Sequence, residues 1–187
     1  MKLVIAGTGA SGAIYLQRLL AQIDPRSHEV HLVLSGYGRQ VIAEELGTLT
    51  VPEGVHAHGD KSMNVPFVSG SARFDAMVVV PCSMGTLGRI ASGVSDTVIL
   101  RAADVFLKER RPLILVPRET PWSLIHARNV VTLLEAGAVV MPASPGFYAR
   151  PVTIDALVDS LVARILDQLG LPAPAAFRWG EGAESPA

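Results

Sequence analysis

The chain has little cysteine, almost no net charge and no long apolar run, and each shortage excludes a class of protein. Its single cysteine excludes an intrachain disulfide and a multi-cysteine zinc site, and it suits a reducing cytoplasm. Sixteen Lys and Arg against seventeen Asp and Glu leave a net charge of −1, so no basic face indicates nucleic-acid binding. The apolar run Lys2–Ala6 stops at Gly7. A membrane span needs ~20 apolar residues, so neither a signal segment nor a span is expected.

The composition that remains is that of a globular protein. Hydrophobic residues make up 49% of the 187 positions and charged residues 18%, which is typical of a packed domain rather than a disordered chain. At ~150 residues per domain, the length predicts one domain over residues 1–187. Proline and alanine are frequent from about residue 172 to 187, where an irregular tail is expected.

Segments typical of strands and helices alternate along the chain. Short apolar runs predict five strands: Lys2–Ala6, Glu29–Leu34, Ala76–Val80, Pro112–Val116 and Ala138–Met141. Helical spacing predicts six helices: Ser11–Gln22, Arg39–Leu46, Ser83–Ala91, Thr97–Arg110, Trp122–Ala136 and one that begins at Thr153 as its cap. Residues 47–73 are less regular, but because this stretch is long for a loop, some local structure or a covering role is expected there. This alternation predicts an α/β fold with a central parallel sheet.

The residues Gly7–Gly12 fit the pattern G-x-G-x-x-G directly after the first strand. The usual ligand of that pattern is a dinucleotide, whose ribose is held by an acidic residue ~20 positions on, at the end of the second strand. Here that strand ends in Leu34 and Ser35 without an acid, and Glu29 lies at its other end. An NAD-linked oxidoreductase therefore lacks support. A mononucleotide site and a tight turn without a ligand both remain open.

The end of the third strand also carries polar residues. Ligands of open parallel sheets bind at the carboxyl ends of the strands. Ser83 and Thr86 offer hydroxyl groups to a phosphate there, although Ser83 could simply cap the following helix. Cys82 adjoins an apolar strand without an activating neighbour, so a core thiol is expected.

After the fourth strand stands the charged pair Arg118 and Glu119, which could contact a ligand or form a surface ion pair. His56 and His58 have no carboxylate nearby and predict no metal site. Composition and spacing by themselves indicate a nucleotide- or phosphate-binding α/β domain that acts as an enzyme.

Six longer strings go further: GASG (9–12), PCSMGTL (81–87), RAADVFLKERRPL (101–113), VPRETP (116–121), PGFY (145–148) and RW (178–179). In this order they resemble the UbiX-type flavin prenyltransferase family, whose members were once named aromatic acid or phenylacrylic acid decarboxylases. The strings span nearly the whole chain, and RAADVFLKERRPL followed by RETP is the most distinctive. The resemblance implies a flavodoxin-like Rossmann fold, a three-layer sandwich around a parallel sheet.

The resemblance also implies an activity, a cofactor and partners. The family joins a dimethylallyl group from dimethylallyl phosphate to N5 and C6 of reduced FMN, without a metal ion. The product, prenylated FMN, serves a UbiD-type decarboxylase. A homo-oligomer is implied as well, usually a dodecamer with active sites at subunit interfaces.

Transferred position by position, the resemblance assigns three sets of residues. The contacts to FMN are Gly9, Ala10, Ser11, Ser35, Ser83, Met84, Gly85, Thr86 and Arg118. The contacts to dimethylallyl phosphate are Glu45, Arg101, Tyr148, Arg164, Trp179 and, from a neighbouring subunit, Lys108. The catalytic residues are Ser11, Lys108 and Glu119.

These assignments suit the chemistry. Breaking the allyl C–O bond develops an allyl cation and a phosphate dianion, which Lys108, Arg164 and the Tyr148 hydroxyl would stabilise. The second bond, at the flavin ring carbon, requires removal of a proton. Glu119 is the expected general base or acid, with Ser11 as a hydroxyl relay.

Three positions depart from the family pattern or leave it open. Met63 stands where relatives often carry an aromatic residue, and a thioether is polarizable but has no π face. Gly36 stands where many relatives have lysine. Glu45 is aligned with a family glutamate, but Glu44 adjoins it.

Two other classes are alternatives. A flavin-dependent cysteine decarboxylase of the phosphopantothenoylcysteine type would share the fold, but it expects an early catalytic histidine, and no histidine precedes His28. A non-enzymatic FMN-binding, flavodoxin-like module is the other, since a fold does not fix function. Electron carriage would not require Lys108, Glu119, Tyr148 and Arg164 together.

Overall fold

The computed structural model describes residues 1–173 and 177–178. Its strands are β1 (Lys2–Gly7), β2 (Glu29–Leu34), β3 (His56–Gly59), β4 (Ala76–Cys82), β5 (Leu113–Pro117) and β6 (Val139–Val140). Its α-helices are α1 (Ala13–Gln22), α2 (Gly36–Glu45), α3 (Met84–Ala91), α4 (Val98–Lys108), α5 (Leu124–Glu135) and α6 (Ile154–Leu169). A short 3₁₀ helix covers Pro66–Val68.

The six strands form one parallel sheet in the order β3-β2-β1-β4-β5-β6. The chain runs outward from β1 to β3 and then returns to the other side of β1, so the direction of strand order changes between β1 and β4. Loops on both sides of such a switch point diverge and leave a crevice at the carboxyl ends of the strands. This is where the fold positions a ligand.

Two apolar cores cover the two faces of the sheet. Successive side chains of β1 alternate between them: Leu3 and Ile5 join the core with α1 and α6, whereas Val4 and Ala6 join the core with α3 and α4. Because a strand covered on both faces reads as an unbroken apolar run, such runs predicted β1 and β4 well. The architecture is the flavodoxin-like three-layer sandwich.

Most helices begin where the sequence places a capping hydroxyl. Ser35, Ser83, Thr97, Ser123 and Thr153 each accept a hydrogen bond from a backbone N–H in the first turn of the helix that follows. The predicted Thr153 cap is thereby confirmed. A polar group at this position satisfies a donor that the helix itself leaves unpaired.

The local structure expected within 47–73 is present as β3, a short edge strand that pairs with β2, and the 3₁₀ helix, although β3 was not predicted as a strand. One helix boundary was wrong. The second helix begins at Gly36 rather than Arg39, because Ser35 caps it. Its Gly38 packs so closely on β1 that a Cβ would lie 2.6 Å from the Gly7 carbonyl oxygen.

The single-domain prediction for 1–187 stays a prediction. Within residues 1–173 and 177–178, no helix has the length and apolar character to cross a membrane.

Candidate functional site

A buried threonine ties together the two loops that flank the switch point. The Thr8 hydroxyl donates to the Pro81 carbonyl oxygen at 2.9 Å and accepts from the Ser83 N–H at 2.8 Å. Thr8 is only 2% exposed, so these bonds are shielded from water. They fix the loop after β1 against the loop after β4. Thr8 occupies a variable position of the glycine pattern, so nothing in the sequence marked it as a site residue.

The N-terminus of α1 is already occupied by a carboxylate of the chain itself. Glu45 reaches back from the end of α2, and its oxygens accept from the N–H groups of Gly12 at 2.9 and 3.1 Å and of Ala13 at 2.8 Å. Gly12 has a φ of 111°, a left-handed conformation that favours glycine. A phosphate at this helix end would meet the Glu45 charge instead of free N–H groups.

Opposing influences act on the Glu45 carboxyl. Burial raises its pKa, but hydrogen bonds from the Ser11 hydroxyl and from the Gly12 and Ala13 N–H groups, with the nearby positive charge of Arg118, outweigh that effect. The pKa of Glu45 therefore lies below its usual range. Glu45 rather than Glu44 faces the site.

The N-termini of α2 and α3, in contrast, are open. Ser35 Oγ accepts from the Gly38 N–H at 2.9 Å, and Ser83 Oγ accepts from the Thr86 N–H at 3.2 Å. The earlier N–H groups of these two first turns have no acceptor among the described residues: those of Gly36, Tyr37, Met84 and Gly85. Free N–H groups at the positive end of a helix dipole suit a phosphate.

Both open helix ends border one cavity of about 300 Å³, called here the nucleotide cavity. It is lined by Thr8, Gly9, Ser35, Gly36, Tyr37, Asp60, Ser83, Thr86, Arg89, Thr97, Ile99 and Leu100. At Gly36 nothing lies within 4 Å of the place where a Cβ would be, so its backbone is open to a ligand. These residues fit the phosphate end of FMN.

Four of the predicted FMN contacts line the nucleotide cavity: Gly9, Ser35, Ser83 and Thr86. Ala10 is buried beside it in the loop after β1, and the Met84 side chain lies in the apolar core. Met84 can therefore offer a ligand only its backbone. At Gly9 a Cβ would lie 2.4 Å from Cβ of Tyr37, so glycine is needed for this close approach.

Asp60 is a cavity residue that the sequence analysis did not single out. Its Oδ1 accepts from the Ile99 N–H at 3.0 Å, and its carbonyl oxygen accepts from the Val98 N–H at 3.0 Å, so it holds the start of α4. Burial raises the pKa of its carboxyl, although the Ile99 and Thr97 hydrogen bonds and the charges of Arg39 and Arg89 oppose the rise. Asp60 lies in the less regular segment 47–73, where no periodic pattern marked it.

Acid–base groups gather beside the loop after β1. Arg118 Nε donates to the Ser11 carbonyl oxygen at 3.1 Å, and the Arg118 N–H donates to the Cys82 carbonyl oxygen at 3.3 Å. Glu119 follows directly and is exposed, and its carboxylate accepts from the Thr120 N–H at 3.0 Å. The structure thus brings Ser11, Glu45 and Arg118 together, with Glu119 as the adjoining carboxylate.

The single cysteine is not part of this chemistry. Cys82 is completely buried, and burial raises the pKa of its thiol to about 12. Because the thiolate is the reactive form, the thiol is inert at neutral pH. The prediction of a core thiol is confirmed.

Tyr148 and Arg164 lie in a second cavity, of about 580 Å³, called here the cationic cavity. They share it with Phe177 and Arg178, and none of the described residues that line it also lines the nucleotide cavity. Arg164 and Arg178 each donate to Asp167 at 2.7 Å. Tyr148 is 75% exposed. Trp179, the other predicted contact in this region, lies outside the described residues.

Lys108 lies at the far end of α4 from the nucleotide cavity. The cap of that helix, Thr97, lines the cavity, and Lys108 is roughly 16 Å along the helix axis from it at 1.5 Å per residue. The Lys108 ammonium pairs with Glu109 beside Gly70. One copy of the chain does not bring Lys108 to its own nucleotide cavity.

Arg101, on the first turns of α4, is engaged within the chain. Its Nη1 donates to Asp104 at 2.6 Å and its Nε to the Val68 carbonyl oxygen at 3.2 Å. Across residues 1–173 and 177–178, no group of three or more His, Cys, Asp or Glu is placed to hold a metal ion.

A parallel sheet with open helix N-termini at its switch point defines a nucleotide-binding protein of the flavodoxin-like class. A model of the family described as Flavoprotein matches residues 1–166. A probable UbiX-like flavin prenyltransferase from a Streptomyces species is 48% identical over 183 residues, which cover 96% of this chain and 92% of the relative. The chain belongs to the flavoprotein family and, within it, to the UbiX-type flavin prenyltransferases.

Solved structures agree. A crystal structure of AnUbiX in complex with FMN and dimethylallyl pyrophosphate is 42% identical, with a TM-score of 0.90 and 98% of each chain covered. A dodecameric FMN-dependent UbiX-like decarboxylase from Escherichia coli is 41% identical, with a TM-score of 0.87, 96% of this chain and 99% of that chain being covered. A PPC decarboxylase mutant is 19% identical, with a TM-score of 0.63 and coverage of 89% and 98%, and shares the fold alone.

Proposed function

We propose that the protein transfers the dimethylallyl group of dimethylallyl phosphate to N5 and C6 of reduced FMN. The product is prenylated FMN, which supplies a UbiD-type decarboxylase in the cytoplasm. The observation that carries this proposal is the convergence of Ser11, Glu45, Arg118 and Glu119 beside a cavity built for a phosphate. Electron carriage would need the cavity but not the acid–base groups.

FMN binding follows from the two open helix ends. The 5′-phosphate of FMN lies between Ser35 and Ser83 and accepts hydrogen bonds from the backbone N–H groups at the starts of α2 and α3. The Thr86 hydroxyl donates a further hydrogen bond. Because Glu45 occupies the start of α1, the loop Gly9–Ser11 contacts the uncharged part of the flavin instead. Arg118 and the Gly85 backbone complete the predicted contacts.

The phosphate that leaves dimethylallyl phosphate needs positive charges to stabilise it, and the nucleotide cavity does not supply enough of them alone. When the allyl C–O bond breaks, the phosphate departs with the electron pair while flavin N5 forms the new bond to carbon and gives up its N–H proton, which the phosphate can accept. Tyr148 and Arg164 in the cationic cavity, with Trp179, and Arg101 and Lys108 on α4 stabilise the growing negative charge. Since Lys108 lies far from its own cavity, it acts in the site of a neighbouring subunit of a homo-oligomer. The dodecameric relative supports such an assembly.

In the second step, the alkene of the N5-bound dimethylallyl group takes up a proton, its tertiary carbon bonds to C6, and C6 loses its hydrogen as a proton. Glu119 is exposed and adjoins Arg118, which holds the loop of Ser11, so it accepts or returns that proton with the Ser11 hydroxyl as a relay. Glu45 is kept ionised by its hydrogen bonds and holds the Ser11 hydroxyl in place.

Release of inorganic phosphate tests this function directly. Under anaerobic conditions and with flavin in excess over enzyme, we expect dimethylallyl phosphate to be cleaved only when reduced FMN is present. Because Glu119 acts after the first bond has formed, Glu119→Gln should slow steady-state phosphate release roughly a hundredfold or more but still release a first phosphate at each site. Phosphate release independent of flavin would mean a phosphatase. No release from either the monophosphate or the diphosphate would favour the decarboxylase or the non-enzymatic module.

A further inference from the structure

Arg89 is placed to bind the phosphate of the flavin, although the resemblance assigned it no role. It lies on α3 three residues after Thr86, so both side chains share one face of the helix, and both line the nucleotide cavity. Helical side chains lean toward the N-terminus of their helix, which directs Arg89 toward the open N–H groups of Met84 and Gly85.

Arg89 is the one cation among the described residues that line the nucleotide cavity. Asp60 alone among them carries a carboxyl. A phosphate monoester brings about −1.5 to −2 charges at pH 7, which the partial charges of two helix ends balance only in part. The site therefore needs the Arg89 charge as well.

The Arg89 guanidinium is held by an ion pair but still has unused hydrogen-bond donors. Its Nη2 donates to both carboxylate oxygens of Asp96, whereas Nε and Nη1 have no acceptor in the part of the chain that the structure describes. The Arg89 and Asp96 side chains are 46% and 62% exposed, and an ion pair this exposed contributes little to folding by itself. What the pair does is hold a planar, five-donor group at the rim of the cavity.

We propose that Arg89 binds the 5′-phosphate of FMN and makes the protein prefer FMN to riboflavin, with Asp96 orienting the guanidinium. This rests on the proposed function, because it takes FMN as the ligand. The shared cavity lining, the unused donors and the absence of a second cation among the described lining residues support it.

Binding constants for two flavins test the proposal. The dissociation constants of FMN and riboflavin are measured from flavin fluorescence on the full chain. We expect Arg89→Ala to raise the FMN constant roughly 10- to 100-fold, the usual range for a hydrogen bond to a charged group, and to leave the riboflavin constant unchanged. Arg89→Lys keeps the positive charge but lacks the planar guanidinium with its paired donors. Its dissociation constant for FMN should fall between those of Arg89→Ala and the native protein.

Arg26→Ala is the matched control. Arg26 also pairs with an aspartate, Asp24, but it lies in the loop between α1 and β2, at the amino ends of the strands and thus opposite the nucleotide cavity. It should change neither constant. Thermal melting of each variant confirms folding, and Arg89→Gln replaces the alanine variant if that one does not fold.

The outcomes separate the two proposals. Equal losses of FMN and riboflavin binding in Arg89→Ala, or no loss of either, would overturn the role of Arg89. A native protein that does not bind FMN would overturn the proposed function as well. FMN binding that depends on Arg89, without any prenyl transfer, would leave Arg89 as the phosphate ligand and remove only the reaction.

Discussion

Glu45 closes the N-terminus of α1 through Gly12, whose N–H lies 2.9 and 3.1 Å from the two carboxylate oxygens. This contact divides the carboxyl edge of the sheet into two parts. The ends of α2 and α3 remain available to a phosphate, while the end of α1 carries a fixed negative charge beside Ser11. One edge can therefore hold the phosphate of FMN and keep proton-transfer groups apart from it.

Replacing Glu45 should destabilise the fold at neutral pH. Glu45→Gln removes the charge at the helix end, and we expect the free energy of unfolding in urea to fall by about 0.3–1 kcal/mol. Glu44→Gln, one residue earlier and exposed, is the matched control and should leave it unchanged.

The Glu45 effect should depend on pH with a known sign. Since the folded pKa of Glu45 lies below its unfolded value, its contribution is present above the unfolded value of about 4.3 and is lost as the pH falls through the folded pKa. The difference between native protein and Glu45→Gln should vanish in acid. A difference that grew in acid would contradict the contact.

The Thr8 hydroxyl should matter for both stability and ligand binding. Thr8→Val keeps the shape but leaves the buried Ser83 N–H without its acceptor, which costs about 1–3 kcal/mol. The loop that begins α3 should loosen, and FMN should bind more weakly. Thr132→Val is the control, because that exposed hydroxyl donates only to Arg128 of its own helix. Urea denaturation and FMN titration of the two variants give the comparison. Equal losses of stability and FMN binding in both variants would argue against the role of Thr8 in holding the two loops together.

A histidine cluster outside the site should make stability fall in mild acid. His31 Nδ1 and His58 Nε2 share a hydrogen bond of 2.8 Å, and His31 Nε2 lies 3.0 Å from Glu29. Burial lowers the pKa of His31 despite the attraction of Glu29, and burial together with repulsion from His31 and His56 lowers the pKa of His58.

Because the unfolded chain then binds protons that the folded chain does not, stability should drop as the pH falls below about 6.5, by ~1.4 kcal/mol for each unit of pKa separation. Urea denaturation from pH 8 to 5 measures this. His31→Gln should flatten the profile, whereas His28→Gln, outside the cluster, should keep it. An unchanged profile in His31→Gln would exclude the cluster as the cause.

Lys108 should act in a neighbouring subunit. Lys108→Ala and Glu119→Gln should each be nearly inactive, but mixed oligomers of the two should regain activity. With random mixing in equal amounts, about a quarter of sites combine a native Glu119 with a native Lys108 from next door. Phosphate release by co-expressed variants is the measurement. No recovery would place Lys108 and Glu119 in the same chain's site.

The sequence predicted those elements whose signal is local. Apolar runs predicted β1, β2, β4 and β5, and the hydroxyl caps Ser83 and Thr153 marked the starts of α3 and α6. β3 was not predicted because it is a four-residue edge strand with two histidines and a glycine and without a β-branched residue. The start of α2 escaped because glycines disfavour helices, although Gly38 is needed there for its packing against Gly7.

The site was predictable only where a motif carried it. The strings around Gly9, Ser83 and Arg118 named residues that the fold brings to one edge. Thr8, Asp60 and Arg89 were missed because their roles depend on contacts between loops distant in sequence, which no spacing reveals. Which helix end is free for a phosphate likewise became visible only with the Glu45 contact.

The mass of the flavin tests the central proposal most directly. Native protein, reduced FMN and dimethylallyl phosphate are incubated without oxygen. The flavin is then extracted, and its mass is measured by mass spectrometry. With flavin in excess over enzyme, we predict that the native protein adds one isoprene unit to most of the flavin, whereas Glu119→Gln, which stops after the N5 bond, modifies no more than about one flavin per site. Flavin that binds but keeps its mass with both the monophosphate and the diphosphate would contradict prenyl transfer.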